Sequence, residues 1–141
     1  MHVFFYGLFM DIRVLKKQGL DPGRMRKARL PGYRLSIGQR ANVAEDSGAT
    51  CYGMLADLPR DDVSKLYSAP SVSDYQPISV SVTIADGSEE QAICYTLPVD
   101  KNQKGSNTVY AGELHRVASE LHFPEHYLNE ILIAATARAP S

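Results

Sequence analysis

The sequence has little of what marks several common protein classes. Only two cysteines, Cys51 and Cys94, occur among its 141 residues, so we expect two buried thiols in a reducing compartment rather than a disulfide framework. The longest apolar run covers residues 131–135, whereas a membrane helix needs about 20 apolar residues. The first residues carry no basic leader. A chain of this length and composition suits one domain. We therefore expect a single soluble domain over residues 1–141, located in the cytoplasm, with no membrane partner.

The short motifs of several enzyme classes are also missing. The segment Tyr6-Gly7-Leu8-Phe9 has one glycine after a predicted strand and is not a phosphate-binding loop. A serine nucleophile elbow is absent. Of the four histidines, His122 and His126 are separated by Pro124, and no cysteine pair or acidic set completes a ligand shell. We expect neither a metal nor a cofactor.

Charge is nearly balanced overall but unevenly distributed. The formal net charge is −1, yet residues 13–40 hold nine of the 15 lysines and arginines and only one acid, Asp21. The nine are Arg13, Lys16, Lys17, Arg24, Arg26, Lys27, Arg29, Arg34 and Arg40. A solvated basic face, or a patch that attracts a small anion, is the favoured interpretation, because Tyr33 is the one aromatic available there for stacking on bases. A basic-faced nucleic-acid-binding module is the alternative, but no nucleic-acid partner is expected.

Alternating hydrophobicity predicts several strands. Residues 78–84 alternate apolar and polar side chains, and Asp86-Gly87 separates them from a second run at 91–97, which is a strong hairpin signal. Shorter strands are predicted at 3–6, 33–37 and 50–55, with turns at Leu30-Pro31-Gly32 and Asp46-Ser47-Gly48. The chain therefore begins with most of its strands.

Helix signals are concentrated at the end of the chain. Asp11 is placed to cap a short helix over 12–18, and Pro59 to start another over 60–66. Helical spacing marks residues 110–121, and Pro124 begins a last helix. Segregated strands and helices predict an α+β fold: a curled, mainly antiparallel β-sheet or barrel with short helices and two C-terminal helices packed on it.

Short segments spread along the chain carry a family resemblance. They are Phe4-Phe5-Tyr6-Gly7-Leu8-Phe9, Pro31-Gly32-Tyr33-Arg34-Leu35, Tyr52-Gly53-Met54-Leu55, Leu66 with Tyr75 and Val80-Ser81-Val82, Ile93-Cys94-Tyr95, and Leu121-His122-Phe123-Pro124-Glu125-His126-Tyr127-Leu128. In order and spacing they resemble the γ-glutamylcyclotransferase-like family, which includes the AIG2-like proteins. The resemblance covers residues 3–132 and implies that family's barrel fold.

The resemblance also implies a reaction. In this family the free α-amine of a γ-glutamyl substrate attacks its own γ-carbonyl, which forms 5-oxoproline and releases an amine. Backbone N–H groups of the loop after the first strand hold the α-carboxylate, here those of Gly7, Leu8 and Phe9. A glutamate takes the proton from the ammonium and returns one to the leaving amine.

Two departures from the family's pattern bear on activity. Leu8 replaces a serine of the loop, which matters modestly where main-chain donors bind the ligand. More seriously, no acid occurs from position 63 to 73. Ala69 is then the residue expected at the catalytic glutamate's place, with Pro70 the alternative after a slip of one residue. Asp74 is the nearest acid and a weak substitute, and a simple turn residue ahead of a strand is the favoured interpretation of it.

Three tyrosines complete the expected site. Tyr6, Tyr75 and Tyr95 are placed to line the pocket, and each is equally well explained as a core aromatic of a strand. The implied partner is a small γ-glutamyl compound or another carboxylate. Two functions remain open: a cyclotransferase with weak activity, and a non-catalytic relative that binds a small carboxylate.

Overall fold

The computed structural model describes residues 1–98 and 107–136 and has the predicted α+β architecture. Its strands are β1 (His2–Phe5), β2 (Arg26–Ile37), β3 (Ala41–Asp57), β4 (Gln76–Ile84) and β5 (Glu89–Thr96). Its helices are α1 (Ile12–Lys17), α2 (Arg60–Leu66), α3 (Thr108–Glu120) and α4 (Glu125–Thr136), and a 3-10 turn covers Leu8–Met10. Within the described ranges, no helix has the length and apolar character needed to cross a membrane.

The five strands close into a barrel in the order β1-β3-β2-β4-β5. Four of the pairings are antiparallel, and β1 pairs with β5 in parallel through Val3 opposite Ile93 and Phe4 opposite Cys94. The predicted hairpin between β4 and β5 is confirmed, and it turns through Asp86 and Gly87, where Gly87 has a φ of +89°. Closure removes the free sheet edges and places the ends of β1 and β5 side by side.

Two predicted turns are wrong, because they lie inside strands. Leu30-Pro31-Gly32 belongs to β2 and Asp46-Ser47-Gly48 to β3. The register shifts between Pro31, opposite Thr50, and Tyr33, opposite Glu45, so that residues 46–49 face Gly32 alone. Gly32 has a φ of +83°, and the Gly48 amide donates to Asp46 Oδ1 at 3.1 Å. The turn residues thus form a bulge in a continuous ladder.

Capping residues and a proline mark the starts of three helices. The Asp11 carboxylate caps α1 by accepting from the Arg13 amide at 3.0 Å, and α2 begins directly after Pro59, both as predicted. Asn107 caps α3 through the Tyr110 amide at 2.9 Å. Helices α3 and α4 pack against each other, and α4 also packs on β2. This arrangement carries Tyr110 at the start of α3 towards the end of β1.

The barrel core holds β1 tightly. Val3, Phe4 and Phe5 are all buried, and a Cβ on Gly53 of β3 would overlap the Phe5 carbonyl oxygen and the Phe4 ring. Only glycine allows this approach of β3 to β1. The core therefore fixes the position at which the segment after β1 begins.

Both cysteines are buried free thiols, as expected. Burial raises the pKa of the Cys51 thiol to about 12, and the Tyr127 hydroxyl lies 3.3 Å from its sulfur. Burial also raises the pKa of Cys94. Both shifts disfavour the thiolate, which is the nucleophilic form of cysteine.

Candidate functional site

A cavity of about 290 Å³ opens where β1 ends. All six residues predicted to bind substrate line it: Tyr6, Gly7, Leu8, Phe9, Tyr75 and Tyr95. Further walls come from Phe4, Phe5, Val14, Arg40, Ala41, Tyr67, Ser71, Val72 and Tyr110. The structure brings the predicted binding residues together, and their roles in binding stay a prediction.

A larger, more open groove of about 560 Å³ borders β4, β5 and α2. Of the residues predicted to bind substrate, only Tyr95 reaches it. The smaller cavity is the better candidate, because convergent polar groups within aromatic walls are typical of small-molecule sites.

The loop after β1 lines the cavity, and part of its backbone donors are unused within the described residues. Gly7 has extended backbone angles (φ −110°, ψ −151°), so space rather than conformation requires glycine there. A Cβ at Gly7 would lie 2.7 Å from the hydroxyl oxygen of Tyr110. That hydroxyl accepts a hydrogen bond from the Leu8 amide at 3.4 Å. Among the described residues, the amides of Gly7 and Phe9 have no protein acceptor. Two amides of the predicted trio are thus left for an anion.

Tyrosines form much of the cavity wall, and hydrogen bonds fix several of them. Tyr6 donates to the carbonyl oxygen of Tyr95 at 2.7 Å, and Tyr75 donates to that of Ala41 at 2.5 Å. The Tyr67 ring stacks on Tyr95 with centroids 3.8 Å apart and planes 10° from parallel. These contacts hold the tyrosine side chains of the wall in defined orientations.

Burial disfavours the ionised form of the tyrosine hydroxyls in the wall. It raises the pKa of Tyr6 and of Tyr67 well above the usual value for tyrosine, and it raises that of Tyr110 to about 12. The charged form is disfavoured because a buried phenolate loses its hydration. At neutral pH these groups can donate hydrogen bonds but do not take a proton from a substrate.

The turn between α2 and β4 holds the predicted catalytic position. Ala69 is half-buried, and its carbonyl accepts from the Val72 amide at 3.0 Å. From this turn, Ser71 and Val72 line the cavity, and Ala69 does not. None of the described lining residues carries a carboxylate. The assignment of Ala69, or of Pro70, to the glutamate's place stays a prediction.

Asp74 lies beside the cavity but is bound to an arginine. Its two carboxylate oxygens accept from Arg40 Nη1 and Nη2, each at 2.8 Å. Arg40 Nη1 also donates to the Ser71 carbonyl at 2.9 Å, and the guanidinium lies 5.2 Å from the centre of the Tyr75 ring. The hydrogen bond to Asp74 raises the pKa of Arg40 above its usual value. Asp74 therefore holds a permanent cation in the cavity wall.

A model of the AIG2-like family matches residues 50–131, more than half of the chain. The chain belongs to the AIG2-like family. This confirms the resemblance drawn from the short segments. A search of the curated proteins found no match.

Solved structures show the same fold as this AIG2-like protein. YkqA from Bacillus subtilis is 24% identical, with a TM-score of 0.81 over 100% of this chain, and the chain spans 56% of its length. A γ-glutamyl cyclotransferase is 19% identical, with a TM-score of 0.75 over 99% of this chain and 88% of its own. A glutathione-specific γ-glutamyl cyclotransferase from yeast is 12% identical, with a TM-score of 0.68 over 98% and 96%. This chain therefore shares its barrel fold, with the helices packed on it, with these three solved structures.

Three wall residues of the AIG2-like cavity carry little distinct signal in the sequence. Tyr67 follows α2 directly, Tyr110 lies in the first turn of α3, and Arg40 is one of the nine basic residues of segment 13–40. Only Tyr67 has a local signal that places it near the site, because it directly precedes the turn with the predicted catalytic position. The other two come to the cavity through tertiary contacts alone.

The basic segment 13–40 is partly neutralised within the protein. Within the described residues, four of its nine cations form ion pairs: Arg13 with Asp11 and Glu120, Arg26 with Glu90, Arg34 with Asp46, and Arg40 with Asp74. These pairs reduce the charge available to a polyanion and weaken the case for a nucleic-acid-binding module. The absence of a nucleic-acid partner stays a prediction.

Proposed function

We propose that this AIG2-like protein binds a small γ-glutamyl compound in the cavity at the end of β1 and converts it only weakly to 5-oxoproline and a free amine. One observation carries the proposal: the cavity combines unused backbone amides with a wall that has no carboxylate among its described residues. The first feature supports binding of an α-carboxylate, and the second supports slow chemistry.

Binding rests on the loop after β1. The amides of Gly7 and Phe9 are donors without a protein acceptor in the described ranges, and successive backbone N–H groups make an anion-binding concavity. Aromatic walls from Tyr67, Tyr75 and Tyr95 cover the aliphatic part of a γ-glutamyl group. A cavity of about 290 Å³ suits a ligand of that size.

We expect slow turnover because the reaction needs two proton transfers. The substrate ammonium must lose a proton before its nitrogen attacks the γ-carbonyl carbon, and the departing amine nitrogen must gain one. A positioned acid/base group contributes about 10²–10⁴ in rate. The buried tyrosines hold their protons at neutral pH, and the Asp74 carboxylate is engaged by Arg40. The ligand is thus held without an efficient base beside its amine.

Calorimetric titration with L-γ-glutamylglycine, together with quantification of 5-oxoproline by mass spectrometry, tests the proposal. We expect saturable binding and slow product formation. Gly7→Ala should weaken binding, because the new methyl group displaces the Tyr110 hydroxyl beside the loop. Gly112→Ala is the matched control, since a Cβ there meets no atom within 4 Å. Absence of binding, or binding that Gly7→Ala leaves unchanged, contradicts the proposed site.

The non-catalytic carboxylate-binding relative is the alternative within the same site. It shares the binding result and differs in the product: a pure binding protein forms no 5-oxoproline above the uncatalysed background. The mass-spectrometric arm of the experiment separates the two.

A further inference from the structure

Arg40 lines the cavity, and one edge of its guanidinium has no hydrogen-bond partner among the described residues. An arginine side chain carries five N–H donors in a planar fork. Three are used: Nη1 donates to Asp74 Oδ1 at 2.8 Å and to the Ser71 carbonyl at 2.9 Å, and Nη2 donates to Asp74 Oδ2 at 2.8 Å. The two that remain are the Nε–H and the second Nη2–H, which point the same way. Nε is buried and has no hydrogen-bond partner among the described residues.

The surroundings of this edge favour a fixed orientation. Asp74 and Ser71 hold the far end of the guanidinium, and the Tyr75 ring lies 5.2 Å from its central carbon. Tyr75 is itself fixed by its hydrogen bond to the Ala41 carbonyl. A buried donor without an acceptor is unfavourable, so an acceptor of the ligand that reaches this edge is stabilised.

Arg40 also lies next to the loop that holds the predicted carboxylate site. Ala41 follows it directly, and the Ala41 Cβ is 3.8 Å from where a Cβ on Gly7 would stand. Both Arg40 and Gly7 line the same cavity. A single small ligand can therefore contact the loop amides with one end and the guanidinium edge with another.

We propose that Arg40 determines specificity by binding a second carboxylate of the ligand, the one carried by the amine portion of a γ-glutamyl amino acid. This inference rests on the proposed function, in which the loop amides of Gly7 and Phe9 hold the glutamyl carboxylate. The Nε–Nη2 edge matches the spacing of two carboxylate oxygens, and such bidentate pairs combine geometric selectivity with strength. Asp74 is about one-third exposed, so solvent screens its repulsion of the second carboxylate.

Two ligands of the same shape test the proposal. L-γ-glutamylglycine ends in a carboxylate, and L-γ-glutamylglycinamide ends in a neutral amide. Calorimetric titration should show that the unaltered protein prefers the acid by about tenfold or more. Arg40→Gln should weaken binding of the acid by about that factor and change binding of the amide by less than about twofold. Arg40→Lys keeps the charge without the fork and should retain part of the preference.

The outcomes separate the inference from the function on which it rests. An unaltered protein that binds neither ligand overturns the proposed function and this inference with it. An unaltered protein that binds both ligands equally overturns the inference alone, as does an Arg40→Gln variant that loses both ligands to the same extent. Thermal unfolding midpoints show whether each variant is folded, and Arg40→Lys carries the comparison where Arg40→Gln is not.

Discussion

The Leu8 amide nitrogen lies 3.4 Å from the hydroxyl oxygen of Tyr110, a contact between residues 102 positions apart. It ties α3 to the loop that ends β1 and occupies one of the three amides expected to face a ligand. Because Gly7 has no side chain, the hydroxyl fits beside it. The loop, the helix and the cavity are thus coupled through one phenol group.

Gly7→Ala should destabilise the protein by about 1–3 kcal/mol, since the methyl group meets the Tyr110 hydroxyl at 2.7 Å. Tyr110→Phe alone should cost at most about 1 kcal/mol for the lost hydrogen bond. In the Tyr110→Phe background the Gly7→Ala penalty should shrink, because the overlapping atom is gone. Urea unfolding of the four proteins measures this coupling. Strictly additive penalties would show that the clash lies elsewhere.

Local patterns predicted the parts of the fold that depend on neighbouring residues. The alternation over 78–84 with Asp86-Gly87 predicted the hairpin between β4 and β5, and Pro59 predicted the start of α2. The turn predicted at 46–48 was wrong, because residue types that favour turns also occur in a bulge inside a strand. The parallel pairing of Val3 with Ile93 joins distant segments and leaves no local pattern to detect.

The residues of the candidate site also differ in whether neighbouring sequence is enough to predict them. Gly7, Leu8 and Phe9 are assigned to the site because the segment around them resembles a family motif, and the structure places all three in the cavity wall. Their role in binding stays a prediction. Arg40 could not be separated from eight other cations, because only its tertiary pairing with Asp74 and its place in the cavity wall distinguish it.

Asp11 should stabilise the protein through both its cap and its charge. Its carboxylate accepts from the Arg13 amide, Nε and Nη2, each at 3.0 Å. Asp11→Ala should lower the free energy of unfolding at pH 7 by about 1 kcal/mol. Asp11→Asn keeps a capping oxygen and should lose less. Chemical denaturation of the three proteins gives the comparison, and equal losses for Ala and Asn would argue that charge rather than capping is what matters.

The same residue predicts a pH dependence. The hydrogen bond from the Arg13 side chain lowers the pKa of Asp11 from its usual value. A carboxyl whose pKa is lower in the folded state stabilises the fold above its unfolded pKa, about 3.9, and this stabilisation is lost as pH falls through the folded pKa. The difference between the unaltered protein and Asp11→Asn should therefore shrink below about pH 4. A difference that grows on acidification would contradict the assignment.

Gly53→Ala should be severely destabilising, because a Cβ there overlaps the Phe5 carbonyl oxygen and the Phe4 ring. We expect a loss of about 3 kcal/mol or more in the free energy of unfolding, or failure to fold. Gly48→Ala lies on the same strand, where a Cβ makes only an ordinary contact with Asp46 Oδ1 at 3.8 Å, and should change stability by less than about 1 kcal/mol. Similar losses for the two variants would mean that strand flexibility, not the approach of β1, requires glycine.

Restoring a carboxylate tests why turnover should be slow. Ala69→Glu should raise 5-oxoproline production if the turn still has the shape that the reaction needs, with about 10²–10⁴ as the largest gain that an acid/base group supplies. Ser71→Glu is the structural comparison, since Ser71 lines the cavity and Ala69 does not. The variant with the larger gain identifies the position from which a carboxylate reaches the substrate amine.

Asp74→Asn completes that series. With L-γ-glutamylglycinamide, which has no second carboxylate, the change should leave turnover nearly unaltered, because Arg40 already occupies both oxygens of Asp74. A catalytic base must be free to take a proton at the moment of attack, whereas both oxygens of Asp74 accept hydrogen bonds from Arg40. Rapid 5-oxoproline formation by the unaltered protein, abolished by Asp74→Asn while the unfolding midpoint is retained, would identify Asp74 as the base and refute the account of slow turnover.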